Sequence, residues 1–260
     1  MWYEKLDVQF DIERLKKDVR EHVFTLGDQV VQGEEYETPQ YHGFGGWSLL
    51  SRSADWKDGW EAIQTETGTS LEQMLPTQEL ILKAHKHFGI AHGLEHDKPT
   101  QAYVGYIREV IDTLKDMGLH PTRARVTCLK AHCKSLVHKD ADTTEYMARL
   151  HIPLWTNDKC VHICEGENLH MEADGRPVII WANLWHQIRN DSDEDRYHII
   201  MDVYDTKKIT QHFKYEGDFS QLEEFARRFN QEINEIELTE DDINFFEAIK
   251  DKYVTNYNVN

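Results

Sequence analysis

The pattern that most constrains this chain is a series of short β-rich segments between residues 123 and 204. Turn-forming pairs separate many of them, among them Asn157-Asp158, Glu165-Gly166, Asp174-Gly175 and Asn190-Asp191. Short strands between such turns are typical of an antiparallel β-sandwich or barrel. The predicted strands are 123–129, 147–155, 161–164, 169–171, 178–181 and 197–204.

Helical patterns flank this β-rich part on both sides. Apolar residues recur at helical spacing, and Gly118 is placed to end one of the helices. Residues 33–60 are rich in glycine and are predicted to be loop, and 251–260 are expected to fray. The predicted helices are 11–24, a stretch starting near Pro76, 100–117, 219–232 and a last one from about Thr239.

These patterns predict an α+β fold with one β-core and flanking N- and C-terminal helices. We expect a single domain over 1–260. Its parts are a mainly helical and loop flank at 1–120, a β-core at 121–206 and C-terminal helices at 207–260.

Composition excludes several classes of protein. The 29 Lys and Arg residues against 47 Asp and Glu give a net charge of −18, which argues against a nucleic-acid groove and against docking on anionic lipid. No secretory signal and no membrane span is recognisable, so we expect no membrane association. The 4 Cys residues do not form a disulfide framework, and we therefore expect a cytoplasmic protein.

Three side chains have the pattern of a metal site. His138 and Asp140 are separated by one residue, so on a strand they share a face, and His186 follows the apolar segment 178–181. Two His and one carboxylate on one face of a metal form the facial triad of non-haem Fe(II) oxygenases. Taken alone, a His-x-Asp pair is more often a polar pair on the surface than a metal site.

Arg196 follows His186 by ten residues. A guanidinium inside a barrel suits a planar carboxylate bound in bidentate fashion, such as the C5 carboxylate of 2-oxoglutarate. The alternative is a surface salt bridge within the same hairpin, to Asp191, Asp193, Glu194 or Asp195.

With these residues in place, 127–205 resembles the catalytic core of the aspartyl/asparaginyl β-hydroxylase family of Fe(II)/2-oxoglutarate dioxygenases, which includes bacterial hydroxylases of free amino acids. The likeness depends on His138-Lys-Asp140, on Arg149-Leu-His151-Ile-Pro153, on Gly175 before the strand that leads to His186, and on Arg196 before Met201-Asp202. The resemblance implies a double-stranded β-helix core, that is, a jelly-roll or cupin-like fold.

The resemblance also implies roles for individual residues. His138, Asp140 and His186 would bind Fe(II), and Arg196 would hold the C5 carboxylate of 2-oxoglutarate. Arg149 and His151 would line the cosubstrate or substrate region, and Thr127 would contact 2-oxoglutarate through its hydroxyl. The implied reaction consumes O₂ and 2-oxoglutarate, releases succinate and CO₂, and hydroxylates an unactivated C–H of an amino acid, free or in a peptide.

The sequence departs from part of the family in two ways. Some animal members lack the carboxylate of the triad, which this chain has in Asp140. The acidic turn that precedes the distal His in the animal enzymes is Ala182-Asn183-Leu184-Trp185 here, so their protein substrate is not assumed.

Three other interpretations remain open. Cys160, His162 and Cys164, with Cys128, His132 and Cys133, are candidates for a structural zinc site. A cupin-like metal protein, an isomerase or a small-ligand sensor, would share the fold without 2-oxoglutarate turnover. An interaction module using the acidic C-terminal helices is the third. The oligomeric state is not readable from the sequence.

Overall fold

The fold is described from a computed structural model, which covers residues 2–32, 43–58, 63–65, 77–88, 96–135, 137, 148–164, 166–180, 184, 186–203, 235–250 and 253–255. Its first strands and helices are β1 (Tyr3–Lys5), α1 (Ile12–Asp18), β2 (Val30–Gln32), β3 (Phe44–Ser48), β4 (Leu50–Ser51), β5 (Ile63–Thr65), α2 (Gln78–Phe88), β6 (Lys98–Pro99) and α3 (Gly105–Asp116). The later ones are β7 (Pro121–Leu129), β8 (Ala148–Trp155), β9 (Cys160–Cys164), β10 (Glu167–Leu169), β11 (Val178–Ile180), β12 (His186–Asn190), β13 (Arg196–Val203), α4 (Glu240–Lys250) and β14 (Tyr253–Thr255).

Two antiparallel sheets form the core. Within the described residues, the large sheet has the order β1-β11-β8-β13-β7-β3-β2, and the small sheet has the order β10-β9-β12. From β7 to β13 the chain crosses between them: β8, β11 and β13 lie in the large sheet, whereas β9, β10 and β12 lie in the small one. This crossing pattern is that of a jelly-roll, so the predicted α+β fold with a double-stranded β-helix core is confirmed.

An apolar layer fills part of the space between the two sheets. Val178 and Ile180 of the large sheet pack with Cys164 and Leu169 of the small sheet, and Trp2 closes the same cluster. The inner faces therefore combine this apolar patch with the polar side chains described below.

The helices cover the outer face of the large sheet. Leu15 of α1 and Ile107, Ile111 and Leu114 of α3 are buried there against alternate residues of the central strands. The predicted helix 11–24 is confirmed, although its second half, Val19–Val23, is wound as a π-helix. Gly118 has a φ of 87°, as expected of the residue that ends α3.

Gly175, just before β11, is required by its surroundings. Its φ is +85°, and a Cβ there would lie 2.1 Å from the carbonyl oxygen of Phe10. The amide of Phe10 donates to the carbonyl of Gly175 at 2.9 Å. This close backbone approach holds the N-terminal segment against the strand that precedes β12.

Several sequence-based boundaries were wrong. Residues 44–48 were predicted to be loop but form β3, and Gly45 is needed in that strand because a Cβ would lie 2.9 Å from the carbonyl oxygen of Val30. The strand predicted at 169–171 lies at Glu167–Leu169, and β12 was not predicted as a strand. The predicted helix 219–232 lies outside the described residues.

The C-terminal helix is confirmed and caps itself. Thr239 Oγ1 accepts from the amide of Asp242 at 3.1 Å, and Asp242 Oδ2 accepts from the amide of Thr239 at 2.9 Å. Asp242 also accepts from Lys83 Nζ at 3.0 Å, which ties α4 to α2. The expected fraying of 251–260 was wrong at β14, which pairs with β5.

Candidate active site

Of the three predicted metal ligands, His186 is the one that lies within the described residues. It begins β12, its side chain is buried, and Nδ1 lies 2.8 Å from the carbonyl oxygen of Leu184. Since a carbonyl only accepts hydrogen bonds, Nδ1 carries the proton and the lone pair is on Nε2. A backbone carbonyl that fixes the tautomer in this way is the usual partner of a metal-binding His.

His138 and Asp140 lie outside the described residues, but the chain that leads to them is anchored beside β12. Lys134 forms a β-bridge with Arg189, and the amide of Ser135 donates to the carbonyl of Ile188 at 2.9 Å. The Ser135 hydroxyl accepts from the amide of Ile188 at 2.9 Å. The chain therefore runs antiparallel to β12, toward the end at which His186 lies.

Arg196 starts β13 and points into the roll, where it is only 4% exposed. Its Nη2 lies 2.7 Å from His198 Nδ1, and its Nε lies 3.1 Å from His198 Nε2. Burial lowers the pKa of Arg196 to about 10, because desolvation disfavours the charged guanidinium.

The alternative of a hairpin salt bridge for Arg196 was wrong. Asp195 pairs with Lys130 at 2.8 Å, Asp191 with Arg189 at 2.6 Å, and Asp193 with His132 at 2.9 Å. In the described part of the chain, no carboxylate pairs with Arg196, whose polar contacts are with the imidazole of His198.

His151 and His198 lie side by side on the inner face of the large sheet. Their Nδ1 atoms are 3.3 Å apart and their rings are nearly perpendicular, at 85°. Burial lowers the pKa of both imidazoles well below 6.5; the charge of Arg196 adds to this lowering at His198, and the proximity of His198 adds to it at His151. Both rings are therefore neutral at physiological pH.

One nitrogen in this pair has no protein partner. His151 is fully buried, and its Nε2 has no hydrogen-bond partner among the described residues. A buried polar atom of this kind costs free energy unless a ligand or water satisfies it. It is therefore a feature that fits a bound small molecule in the roll.

His162 extends this pair to a row of four imidazoles. It reaches in from β9 and stacks on His186, with ring centroids 5.1 Å apart at 17°. Its other side meets His151 edge to face, at 5.8 Å and 84°. The row His186, His162, His151, His198 thus connects the predicted metal ligand to Arg196.

Neither His162 nor His198 was predicted as a site residue. The spacing of His198, two residues after Arg196 on one strand, was a signal that could have found it. His162 was assigned to the zinc alternative, which the structure does not favour. The single cluster of three metal-capable side chains among the described residues is Asp18, Glu21 and His22, at the surface of the N-terminal helix.

Thr127 and Arg149 both lie on strands next to β13. Thr127 is opposite His198 in the register of β7 and β13, and its hydroxyl donates to the carbonyl of His198 at 3.2 Å. Arg149 is opposite Asp202 and donates to its Oδ1 from Nε at 3.1 Å and from Nη2 at 3.0 Å. Arg149 is therefore in a buried ion pair, and a role in binding the cosubstrate would use its remaining donors.

Fold and site together define a class of protein. A jelly-roll encloses a row of imidazoles that ends at a buried guanidinium, and one of these imidazoles has its metal-capable nitrogen set by a backbone carbonyl. Such a lumen is suited to hold a metal ion and a carboxylate-bearing ligand side by side.

The family follows from a comparison of the sequence. The family model of aspartyl/asparaginyl β-hydroxylases matches residues 51–206, more than half of the chain, so the chain belongs to this family. The matched region begins at residue 51, whereas the motifs that carry the resemblance begin only at residue 127. The protein is accordingly a dioxygenase of the hydroxylase type, with Fe(II), 2-oxoglutarate and O₂ as its reactive partners. No curated protein matches the chain.

Several solved structures are similar in part. A 2OG-Fe(II) oxygenase family oxidoreductase from Burkholderia pseudomallei shares 11% identity over 78% of this chain and 84% of its own, with a TM-score of 0.46. The viral collagen prolyl hydroxylase of Paramecium Bursaria Chlorella virus-1 shares 11% over 78% and 96%, with a TM-score of 0.39. A Trichoplax adhaerens prolyl hydroxylase shares 12% over 53% and 83%, with a TM-score of 0.31.

The residues present fit 2-oxoglutarate. The cosubstrate brings carboxylates into a lumen that offers the buried cation Arg196 and the Nε2 of His151, which has no hydrogen-bond partner among the described residues. Among the helices in the described ranges, none is both long and apolar enough to cross a bilayer.

Proposed function

We propose that the protein hydroxylates an unactivated C–H of an amino acid, free or in a peptide, and that it does so in the cytoplasm as a single domain over 1–260. The observation that carries the proposal is the buried Arg196, which contacts a neutral imidazole in a lumen where His186 presents a metal-capable nitrogen. A charged guanidinium in such a place needs an anion, and a dicarboxylate cosubstrate supplies one.

His138, Asp140 and His186 are the proposed iron ligands. Two features of the described residues support this set: the tautomer of His186, and the course of the chain at Lys134 and Ser135 toward His186. Iron held there supplies the activation of O₂, which is coupled to conversion of 2-oxoglutarate to succinate and CO₂ and delivers one oxygen atom to the substrate.

The protein contributes orientation and a shielded pocket. Arg196 is proposed to hold the C5 carboxylate, and His151 to donate or accept at the other end of the cosubstrate through Nε2. Thr127 is proposed to contact the cosubstrate beside Arg196, and Arg149 to line the entrance to the same lumen, next to Asp202. Burial of Arg196, His151 and Thr127 keeps bulk water from their contacts and strengthens them.

The test is an anaerobic titration of the protein with Fe(II) and 2-oxoglutarate. We expect the weak visible charge-transfer band of the ternary complex, and succinate release when O₂ is admitted. His186→Ala should abolish both signals, whereas His132→Ala, at an exposed imidazole outside the roll, should leave them intact. If His186→Ala leaves both signals intact, the ligand set is wrong.

Two further outcomes separate the alternatives. Metal binding without the band or succinate would support the cupin-like protein instead. A panel of free L-amino acids and short peptides then identifies the substrate, because the true substrate raises succinate release above the rate with 2-oxoglutarate alone. Hydroxylation of neither group would contradict the proposed substrate class.

A further inference from the structure

The side edge of the Arg196 guanidinium is covered by a residue that no motif assigns. His198 follows Arg196 by two residues on β13, so both side chains point into the roll. Its two ring nitrogens lie 2.7 Å from Nη2 and 3.1 Å from Nε of Arg196. These two donors form one of the two edges through which a guanidinium can bind a carboxylate.

We propose that His198 is a positioning residue for Arg196. Its neutral ring occupies the Nε–Nη2 edge of the guanidinium, so the 2-oxoglutarate carboxylate binds the remaining Nη1–Nη2 edge. Because the ring adds no negative charge, it leaves the positive charge of Arg196 to the carboxylate. This inference rests on the proposed role of Arg196 in binding the cosubstrate.

The chemistry of imidazole suits this task. A neutral ring has one unprotonated nitrogen, so in either tautomer it accepts a hydrogen bond from one of the two Arg196 donors, and its N–H only lies against the other. The ring can therefore orient the guanidinium without adding a negative charge. A carboxylate in its place would also orient Arg196, but it would satisfy the charge that the cosubstrate has to meet.

The ring and the backbone of His198 are each held by a neighbouring residue. His151 lies against it with Nδ1 at 3.3 Å from Nδ1, and the carbonyl of His198 accepts from the Thr127 hydroxyl at 3.2 Å. Burial and the adjacent Arg196 lower the pKa of His198, which keeps the ring in the form that accepts a hydrogen bond. His198 is thus fixed in place before any ligand binds.

Three substitutions test the role. His198→Asn keeps a neutral acceptor, His198→Leu removes it at similar volume, and His198→Asp adds a charge. The affinity for 2-oxoglutarate is measured by anaerobic titration of the Fe(II) protein. We expect the Kd to stay within about 3-fold for Asn, to rise about 10-fold for Leu and to rise about 100-fold for Asp.

If His198 only positions Arg196, its substitution should change the KM for 2-oxoglutarate much more than kcat. The KM for 2-oxoglutarate should follow the order Asn, Leu, Asp, whereas kcat at saturating 2-oxoglutarate should change less than about 3-fold for Asn and Leu. His132→Asn, at an exposed imidazole just after β7, serves as the matched control. Circular dichroism at the assay temperature identifies a variant that fails to fold. His198→Gln then replaces the Asn variant, His198→Met the Leu variant and His198→Glu the Asp variant.

The outcomes are distinct. If the wild-type protein shows no 2-oxoglutarate band, the proposed function fails. If the wild type binds 2-oxoglutarate and folded Leu and Asp variants bind it equally well, the proposed function stands and the role of His198 is wrong. An effect on kcat alone would also overturn it.

Discussion

Two arginines on the inner face of the large sheet, the half-buried Arg149 and the buried Arg196, differ in the groups that their guanidinium ions contact. Arg149 donates from Nε and Nη2 to Asp202, at 3.1 and 3.0 Å, and Asp202 is itself only 2% exposed. Arg196, on the same sheet, has the neutral ring of His198 in the corresponding place, at 2.7 and 3.1 Å. The same edge of the guanidinium is occupied in both, but among the described residues only Arg149 has a carboxylate partner.

This contrast separates an arginine that stabilises the fold from one that is suited to bind a ligand. A buried ion pair satisfies its own charges, and it destabilises the fold only when one partner is removed. A buried cation among neutral acceptors has lost its hydration and gained no counter-charge, so it binds an anion strongly. Arg196 therefore fits the cosubstrate, whereas Asp202 ties Arg149 to the scaffold.

The largest expected effect is that of Arg196→Met. Removing a buried guanidinium from a bidentate carboxylate contact should raise the Kd for 2-oxoglutarate about 1000-fold. Stability should not fall, because the variant no longer buries a cation without a counter-charge. Anaerobic titration and urea unfolding measure the two quantities. Arg189→Met, at a surface pair with Asp191, is the control and should change neither; near-normal affinity in Arg196→Met would show that the carboxylate binds elsewhere.

Asp202→Asn should have the opposite effects: it should lower stability and leave the affinity for 2-oxoglutarate nearly unchanged. The substitution removes the charge that compensates Arg149 and should lower the free energy of unfolding by about 3 kcal/mol. Urea unfolding measures it. The double variant Arg149→Met/Asp202→Leu removes both charges of this pair and should recover part of the loss, because Arg123, whose Nε lies 3.8 Å from Asp202 Oδ2, still loses its partner. If the single variant is as stable as the wild type, Arg149 is not held by Asp202, and the contrast with Arg196 disappears.

The neutral imidazoles predict a pH dependence of stability. His151 and His198 have lowered pKa values in the fold, whereas an unfolded His titrates near 6.5. Below pH 6.5 the unfolded chain therefore binds protons that the folded protein does not, and stability falls as the pH decreases. Charged and titratable groups face these rings from the surrounding strands, namely Arg149, His162, His170, His186 and Arg196.

The expected loss between pH 7.5 and pH 5.5 is about 2 to 3 kcal/mol for the two groups together. Urea unfolding with a chelator present measures it without a contribution from metal binding. His198→Asn removes one of the two groups and should reduce the loss by about half. A loss of the same size in this variant would mean that other groups cause it.

How far the sequence predicted this site depends on the residue. Arg196 and His186 could be identified because the ten-residue spacing between them is read directly from the sequence. The structure places both inside the roll. His162 and His198 could not, since alternation along a strand does not say which face is the lumen until the register with neighbouring strands is known. The strand β12 was missed for a related reason: His-Gln-Ile-Arg-Asn has one apolar residue, and its two buried residues, His186 and Asn190, are polar.

The flanks illustrate the same limit. The helical periodicity of 100–117 predicted α3 because one face packs on the sheet. The strand at 44–48 was predicted as loop because its glycines, which a close neighbouring strand requires, read as breakers in isolation.

The smallest effect should come from Thr127, which lies beside Arg196 but is already hydrogen-bonded. Its hydroxyl donates to the carbonyl of His198 at 3.2 Å, and a carboxylate can only accept, so contact with 2-oxoglutarate requires that hydrogen to turn away. One hydrogen bond is thus exchanged for another, and Thr127→Val should raise the Kd for 2-oxoglutarate only about 5-fold. Thr127→Ser keeps the hydroxyl and should bind as the wild type does. A 100-fold effect of Thr127→Val in the same titration would mean that affinity does not depend mainly on the uncompensated charge of Arg196, and the contrast between the two arginines would lose its functional meaning.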